Sequence, residues 1–227
     1  MLIGILQTGH APDSVRARDG DYSDLFEKLL GGRGLTFRTW SVVDGEFPPD
    51  ADAADGWLIT GSRHGAYDDL PWIPPLEDLI RKIHAAKKPL VGVCFGHQIV
   101  AQALGGRVEK FEGGWNVGRT EYDFDGTTLA LNAWHQDQVV EAPKEARVLA
   151  THPNCRYAAL AYGDHIFTVQ PHPEYFADTL GDLIRYRGRG VVPDARLDAA
   201  EAKLSEPTDN VRVADRIAAF FRETAHV

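Results

Sequence analysis

The sequence predicts a three-layer α/β fold, with a mostly parallel central sheet, helices on both faces and a small antiparallel β segment. Two observations favour this fold class. Short apolar runs rich in β-branched residues alternate with segments of helical period, which is the pattern of a parallel sheet covered on both faces. From about residue 107 to 151 the chain instead repeats Gly, Asp and short apolar runs, which indicates antiparallel strands and turns.

Periodicity predicts the individual elements along the chain. Residues Leu2–Gln7 form the first predicted strand, and the helix that follows ends before Gly31. Residues 57–60 form a second strand, and an amphipathic helix precedes a buried strand at Leu90–Val93. A strand at 166–170 and a C-terminal helix complete the pattern. The apolar faces predicted for the three helices are Leu25, Phe26, Leu29 and Leu30; Leu76, Leu79, Ile80 and Ile83; and Val211, Ala214, Ile217, Ala218 and Phe221.

Length, charge and apolar content limit the possible classes of protein. The 227 residues suit one domain over 1–227, with a helical extension from about 188 to 227 and a connector at 187–196. A net charge of −9 argues against a nucleic-acid partner, which requires a basic face. No apolar run approaches the length of a membrane span, and the N-terminus lacks a basic, signal-like region. We therefore expect a cytoplasmic protein with no membrane partner and with Cys94 as a free thiol.

The segment around Cys94 carries the strongest indication of chemistry. A buried strand ends at Val93, a helix begins just after Cys94, and Gly92 and Gly96 flank the cysteine on its two sides. This is the spacing of a nucleophile elbow with cysteine in place of serine. The N-terminus of the helix favours the thiolate, which is the reactive species. The alternative is a buried cysteine that only fills the core, but such a residue does not require glycines on both sides.

A reactive thiolate needs an acid–base partner, and His172 is the predicted one among nine histidines. It follows a predicted strand, and Pro173 favours an extended backbone, which places Glu174 on the same side of the chain. A carboxylate there can orient the imidazole. Two other interpretations stay open: an exposed turn, or a pair of metal ligands, for which no third ligand stands at a suitable spacing. The histidines set aside are His97, whose side chain points away from the helix start, and His84 and His226, which are predicted to face solvent.

Two motifs taken together resemble the class I, or triad, glutamine amidotransferases. Residues 92–98, Gly-Val-Cys-Phe-Gly-His-Gln, look like the nucleophile motif of the family, and residues 170–174, Gln-Pro-His-Pro-Glu, look like its His-x-Glu motif. The resemblance extends to about Phe176 and is closest to stand-alone proteins similar to the amidotransferase domain of GMP synthase. It implies a flavodoxin-like sheet and a catalytic triad of Cys94, His172 and Glu174, with neither a cofactor nor a metal ion.

The resemblance also implies residues that bind the substrate. The backbone N–H groups of Gly61 and Phe95 match the oxyanion hole, and Gln98, Trp134 and His135 match positions that contact the substrate. Three of these positions have a structural alternative: a turn for Gly61, the helix surface for Gln98 and packing for His135. The loop at 60–65, Thr-Gly-Ser-Arg-His-Gly, departs from the Gly-Gly-Pro pattern frequent in the family. This departure leaves the substrate less determined than the mechanism.

These residues predict hydrolysis of the γ-amide of glutamine through a γ-glutamyl thioester, releasing glutamate and ammonia. An amidotransferase also needs an acceptor for ammonia, but the chain has no P-loop motif, and the roughly fifty residues after Phe176 are too few for a synthetase domain. Either a separate synthetase partner supplies the acceptor, or the protein hydrolyses γ-glutamyl compounds alone, as family relatives that are γ-glutamyl peptidases do. A third possibility is a non-catalytic binding module on the same fold, which the presence of all three triad residues argues against.

Overall fold

A computed structural model describes residues 1–224, which form eleven strands and seven α-helices. His226 and the last residues of the predicted C-terminal extension lie outside the described residues. The helices are α1 (Asp13–Asp19), α2 (Tyr22–Leu30), α3 (Ile73–Ala85), α4 (Phe95–Ala103), α5 (Ala177–Leu183), α6 (Asp194–Glu201) and α7 (Asn210–Thr224). The strands are β1 (Leu2–Gln7), β2 (Thr36–Ser41), β3 (Gly56–Ile59), β4 (Leu90–Val93), β5 (Arg107–Lys110), β6 (Asn116–Phe124), β7 (Thr127–His135), β8 (Asp137–Glu141), β9 (Ala146–His152), β10 (Cys155–Tyr162) and β11 (Ile166–Val169).

Within residues 1–224, nine strands form one sheet in the order β2-β1-β3-β4-β11-β10-β9-β6-β7, and β5 pairs with β8 in a small antiparallel sheet. The first five strands of that order pair in parallel. The last four extend the sheet in antiparallel pairing. The architecture is therefore the predicted α/β fold with a mostly parallel core, and the antiparallel region runs further along the chain than residue 151.

Alternating side chains of the parallel strands pack on opposite faces of the sheet, because successive residues of a strand point to opposite sides. On β1, Ile3 and Ile5 pack in the cluster that contains the apolar faces of α2 and α7. Leu6 belongs to the second cluster, which contains the apolar faces of α3 and α4. On β3, Leu58 and Ile59 divide between the two clusters in the same way. Helices thus cover both faces, as predicted.

The carboxyl ends of β1, β3, β4 and β11 meet at one edge of the sheet, because these strands run in parallel. The loops that follow them are tied to one another. The N–H of Thr8 donates to Oγ1 of Thr60 at 3.0 Å, and the hydroxyl of Thr8 donates to the carbonyl of Gly61 at 3.0 Å. Ligands of α/β sheets bind at this edge, and both predicted motifs begin there.

Several predicted element bounds are wrong in detail. The strands predicted at 57–60 and 166–170 end one residue earlier, and β3 begins one residue earlier. The connector predicted at 187–196 contains the end of a π-helical turn, Ile184–Gly188, and the start of α6. The irregular part is therefore shorter than predicted. The assignment of the chain to a single domain stays a prediction.

Two predicted side-chain positions are also wrong. Val211 is 56% exposed, and Val213 instead lies on the buried face of α7. His84 does not face solvent as predicted but is half-buried. Its ring stacks on His165, with Nδ1 of His84 3.0 Å from Nε2 of His165. Helical spacing alone does not reveal this contact, because His165 lies just before β11, far from His84 in the sequence.

Candidate active site

Cys94 occupies a strained turn between β4 and α4. Its φ angle is 54° and its ψ angle is −104°, in the left-handed half of the map where residues with a side chain are uncommon. The two flanking glycines are required by close packing. A Cβ atom on Gly92 would lie 2.5 Å from the carbonyl oxygen of Gly96, and one on Gly96 would overlap the carbonyl oxygen of Ile59. The local geometry is that of the predicted elbow, with Cys94 at the N-terminus of α4.

His172 and Glu174 lie on the turn after β11 as a hydrogen-bonded pair. Nδ1 of His172 is 2.7 Å from Oε1 of Glu174, and both side chains are 1% exposed. The second carboxylate oxygen of Glu174 has no partner among residues 1–224. Because Nδ1 is engaged by Glu174, Nε2 is the ring nitrogen left for proton transfer. It also lacks a partner in the described chain.

Three residues that the sequence motifs did not reveal hold this turn in place. The ring of Tyr175 stacks on that of His172 with 4.0 Å between centroids and 5° between planes. The backbone N–H of His172 donates to the carbonyl of Asn132 on β7 at 2.9 Å, and the amide of Asn132 donates to the carbonyl of Tyr175 at 2.9 Å. The amide of Asn210, the first residue of α7, donates to the carbonyls of Pro173 and Tyr175 at 2.6 and 3.0 Å. The histidine is therefore held by its own turn and by two other elements, β7 and α7.

The charge state of His172 follows from its neighbours. Burial lowers the pKa of His172, but the negative charges of Glu174 and of the Cys94 sulfur outweigh burial and raise this pKa to about 10. The sulfur forms no hydrogen bond with Nε2 of His172 and contacts the carbonyl oxygen of Trp134 at 4.0 Å. Such contacts often tighten only when substrate binds. At neutral pH the imidazole therefore holds a proton.

The predicted oxyanion donors lie next to these side chains. A Cβ atom built on Gly61 would be 3.0 Å from Cε1 of His172 and 3.8 Å from Cβ of Cys94, so the loop after β3 reaches both. Within residues 1–224, the backbone N–H groups of Gly61 and Phe95 donate no hydrogen bond. Two free donors beside a nucleophile are the arrangement that stabilises a developing oxyanion.

A cavity of about 510 Å³ opens onto Cys94 and His172. This volume falls within the range of about 300–1,000 Å³ usual for small-molecule sites. The predicted substrate residues Gln98, Trp134 and His135 line it. The amide of Gln98 donates to the carbonyl of Asp137 at 2.7 Å and to Oε1 of Gln170 at 3.1 Å, so it braces the wall as well as facing the cavity.

His135 is a neutral hydrogen-bond acceptor in this wall. Burial and the charge on His172 lower its pKa to about 3. Nδ1 of His135 lies 3.2 Å from the carbonyl oxygen of Asp137 and must donate to it, and Nε2, the remaining acceptor, has no partner in the described chain. Asp137 lines the same cavity. This wall is therefore suited to a group that donates hydrogen bonds or carries positive charge.

His97, which lies in α4 after Cys94, has a structural role. Burial lowers the pKa of His97 to about 3, and its Nδ1 lies within hydrogen-bond distance, 2.8 Å, of the hydroxyl of Thr168 on β11. Among residues 1–224, no group of three or more His, Cys, Asp or Glu side chains is arranged to hold a metal ion. No described helix combines the length and apolarity needed to cross a membrane.

The fold and this geometry define a class: an α/β protein with a cysteine at a nucleophile elbow beside a histidine–carboxylate pair. The model of the Glutamine amidotransferase class-I family matches residues 45–186. Gamma-glutamyl peptidase 4 of Arabidopsis thaliana is 35% identical over 191 residues, covering 76% of this chain and 76% of its own. One of the subunits of the glutamine-hydrolyzing GMP synthase of Sulfurisphaera tokodaii is 32% identical over 164 residues, covering 68% of this chain and 85% of its own.

Solved structures agree on the fold. A glutamine amido transferase from Methylobacillus flagellatus superposes with a TM-score of 0.76 at 21% identity, covering 99% of this chain and 94% of its own. With a family model that matches more than half of the chain, the identification is direct. The chain belongs to the class I glutamine amidotransferase family, as its two motifs predicted.

Proposed function

We propose that this protein is a cysteine hydrolase of γ-glutamyl amide bonds that acts on small γ-glutamyl peptides. The observation that carries the proposal is the buried His172–Glu174 pair beside Cys94, at an elbow whose strained backbone presents the sulfur to a cavity. Strain in a backbone that only the surrounding fold maintains is typical of functional sites. A non-catalytic module has no need of it.

In the proposed mechanism, the Cys94 thiolate attacks the γ-carbonyl carbon, and the oxyanion binds to the N–H groups of Gly61 and Phe95. The C–N bond breaks as Nε2 of His172 gives its proton to the leaving amine, which yields a γ-glutamyl thioester. The now neutral imidazole takes a proton from water as the water oxygen attacks the thioester. Glutamate leaves, and the thiolate–imidazolium pair is restored. Glu174 orients the ring and stabilises its charge throughout.

The γ-glutamyl group would bind against the wall formed by Gln98, His135 and Asp137. Its α-ammonium group donates hydrogen bonds, which suits the free acceptor on His135 and the carboxylate of Asp137. The position of Gln98 at the start of α4 keeps this wall next to the nucleophile. Trp134 contributes its carbonyl beside the sulfur and its ring to the cavity surface.

Peptides are the preferred substrate class for two reasons. The cavity of about 510 Å³ is lined by Tyr22, Tyr175 and Arg187 in addition to the wall proposed for the γ-glutamyl group. Relatives with the name γ-glutamyl peptidase share 32–35% identity over about three quarters of this chain. The second candidate is a glutaminase that passes ammonia to a separate synthetase, and the likeness to the GMP synthase of Sulfurisphaera tokodaii favours it.

The test is glutamate release from γ-glutamyl-alanine and from free glutamine by the purified protein, with Cys94→Ala in parallel. We expect hydrolysis of the dipeptide and a fall in kcat of more than about 10³-fold in the variant. Full activity of Cys94→Ala would overturn the proposal. Weak hydrolysis of glutamine that rises on adding a synthetase would favour the second candidate. A glutamine analogue that fails to label Cys94 in the folded protein would favour a binding module.

Both cysteines of the described chain, Cys94 and Cys155, are free and buried. Free thiols are typical of proteins from a reducing compartment, so we propose a cytoplasmic location. We propose no nucleic-acid partner, because the net charge is −9.

A further inference from the structure

We propose that Arg187 binds a carboxylate on the leaving group, so that the enzyme selects γ-glutamyl amides whose amine product is an amino acid or a peptide. This assignment rests on the proposed function and names the chemistry of its leaving group. Arg187 lies just beyond residues 45–186, which match the family model. The sequence places it in a predicted connector, but its side chain lines the cavity of Cys94 and His172.

The turn that carries Arg187 is unusual and tightly held. Residues Ile184–Gly188 form a π-helical turn between α5 and α6, a feature that occurs frequently at functional sites. Gly188 has no room for a side chain. A Cβ atom there would lie 2.7 Å from Cδ2 of Leu197 and 3.0 Å from the ring of Trp134. The turn is therefore fixed against Trp134, which itself lines the cavity.

The guanidinium of Arg187 is held in place but keeps its charge available. Nη2 donates to the backbone carbonyl of His10 at 2.8 Å, and Nη1 lies 3.4 Å from the hydroxyl of Tyr22. No carboxylate of residues 1–224 forms an ion pair with it. Arg189, two residues later, pairs with three, those of Asp194, Asp198 and Glu201. A half-buried cation that has a fixed orientation but no anionic partner is suited to bind an anionic ligand.

The position of Arg187 points to the leaving group rather than to the γ-glutamyl group. His172 must protonate the leaving nitrogen, so the leaving group lies beside the imidazole. The surface beside that ring runs through Tyr175, stacked on His172, to Tyr22, whose ring centroid is 6.4 Å from that of Tyr175, and on to Arg187. The wall with His135 and Asp137 suits an ammonium group instead. A carboxylate on the amine product would thus be drawn towards Arg187.

Two other cationic residues line the cavity, but neither is as well suited as Arg187 to bind a carboxylate. Arg63 and Lys110 are exposed, and an exposed cation forms only weak ion pairs because water screens its charge. Arg187 is half-buried and donates a hydrogen bond to the backbone carbonyl of His10. Its planar fork can form two hydrogen bonds with one carboxylate.

The test compares two substrates that differ in one group: γ-glutamyl-alanine and γ-glutamyl-alaninamide, in which an amide replaces the carboxylate. We expect wild-type protein to prefer the carboxylate by about 10- to 100-fold in kcat/KM, the range of one charge-assisted hydrogen-bond pair. In Arg187→Gln this ratio should fall towards one, and in Arg187→Lys it should be intermediate. The matched control is Arg185→Gln on the same turn, because Arg185 is exposed and lies over Tyr186 outside the cavity. That control should keep the wild-type ratio.

The possible outcomes distinguish failure of the Arg187 assignment from failure of the proposed function. If the wild-type protein cleaves both substrates without preference, the assignment of Arg187 is overturned. This measurement uses the wild-type protein alone and does not depend on whether a variant folds. An Arg187→Gln protein that slows both substrates equally, with the ratio unchanged, also overturns it and indicates a structural role through His10. Absence of hydrolysis of either substrate by wild-type protein overturns the proposed function itself, and the leaving-group assignment with it.

Discussion

Replacing Gly61 with alanine tests the active site through one added methyl group. The new Cβ would lie 3.0 Å from Cε1 of His172 and 3.8 Å from Cβ of Cys94. Ordinary carbon contacts are about 3.5–4.0 Å, so the imidazole must move by roughly 0.5 Å or more. Gly61 does not have a positive φ angle, so its backbone lies outside the left-handed region. Alanine therefore fits the backbone, and the disturbance falls on the imidazole ring of His172.

The expected effect is a loss of activity without a loss of stability. A misplacement of about 1 Å can cost about 100-fold in rate, so we expect kcat for γ-glutamyl-alanine to fall about 10- to 100-fold. The free energy of unfolding should change by less than about 1 kcal/mol, because alanine restricts the unfolded chain and partly offsets the tight contact. The assay is initial-rate kinetics of glutamate release, together with urea denaturation of the same preparation.

Gly181→Ala is the matched control. Gly181 lies in α5, and a Cβ atom there would meet its nearest neighbour, Cδ1 of Leu204, at 3.5 Å, an ordinary contact. This variant should keep wild-type kcat. If Gly61→Ala also kept wild-type kcat, the loop after β3 would not border the reacting carbonyl and the reasoning would be refuted.

Two further predictions concern the histidine turn. Glu174→Gln removes a charge that, together with that of the Cys94 sulfur, outweighs burial and raises the pKa of His172 to about 10 from 6.5. Because the folded state holds that proton more tightly, its stabilisation is full below about pH 6.5 and is lost as pH rises through about 10. The variant should lose this alkaline slope in urea denaturation, and kcat should fall by at least about 100-fold; an unchanged slope would contradict the pairing. Asn210→Ala removes the amide donor of the Pro173 carbonyl and one of the two amide donors of the Tyr175 carbonyl, so the free energy of unfolding should fall by about 1–3 kcal/mol and kcat should fall with it. Wild-type values of both would show that α7 does not hold the turn.

Much of the fold could be predicted because its signals are local. The bounds of β1 and β4 match the prediction, since each is a continuous apolar run with a clear end. The apolar faces of α2 and α3 are buried as their spacing predicts. Both motif segments lie at the carboxyl edge of the sheet, where a strand-to-loop pattern can be read from sequence. The roles assigned to Cys94, His172 and Glu174 stay predictions until activity is measured.

The contributions that escaped prediction depend on contacts between distant segments. Asn132 and Asn210 reach the histidine turn from β7 and α7, and neither lies in a motif. The interpretation of Arg187 as part of a connector rests on the glycines and proline after it. A π-helical turn has no simple periodic signature, so its cavity-facing arginine could not be read from spacing. Tyr175 directly follows Glu174, but the stacking on His172 depends on how the turn folds back.

The φ angle of 54° at Cys94 sets stability against the proposed activity at a single residue. A residue with a side chain in this conformation costs on the order of 1–3 kcal/mol, and glycine there would be free of most of that cost. Selection for a more stable chain alone would therefore favour replacement of Cys94 by glycine. A cysteine retained at this position is consistent with a chain maintained for its reactivity at the expense of its thermal resistance.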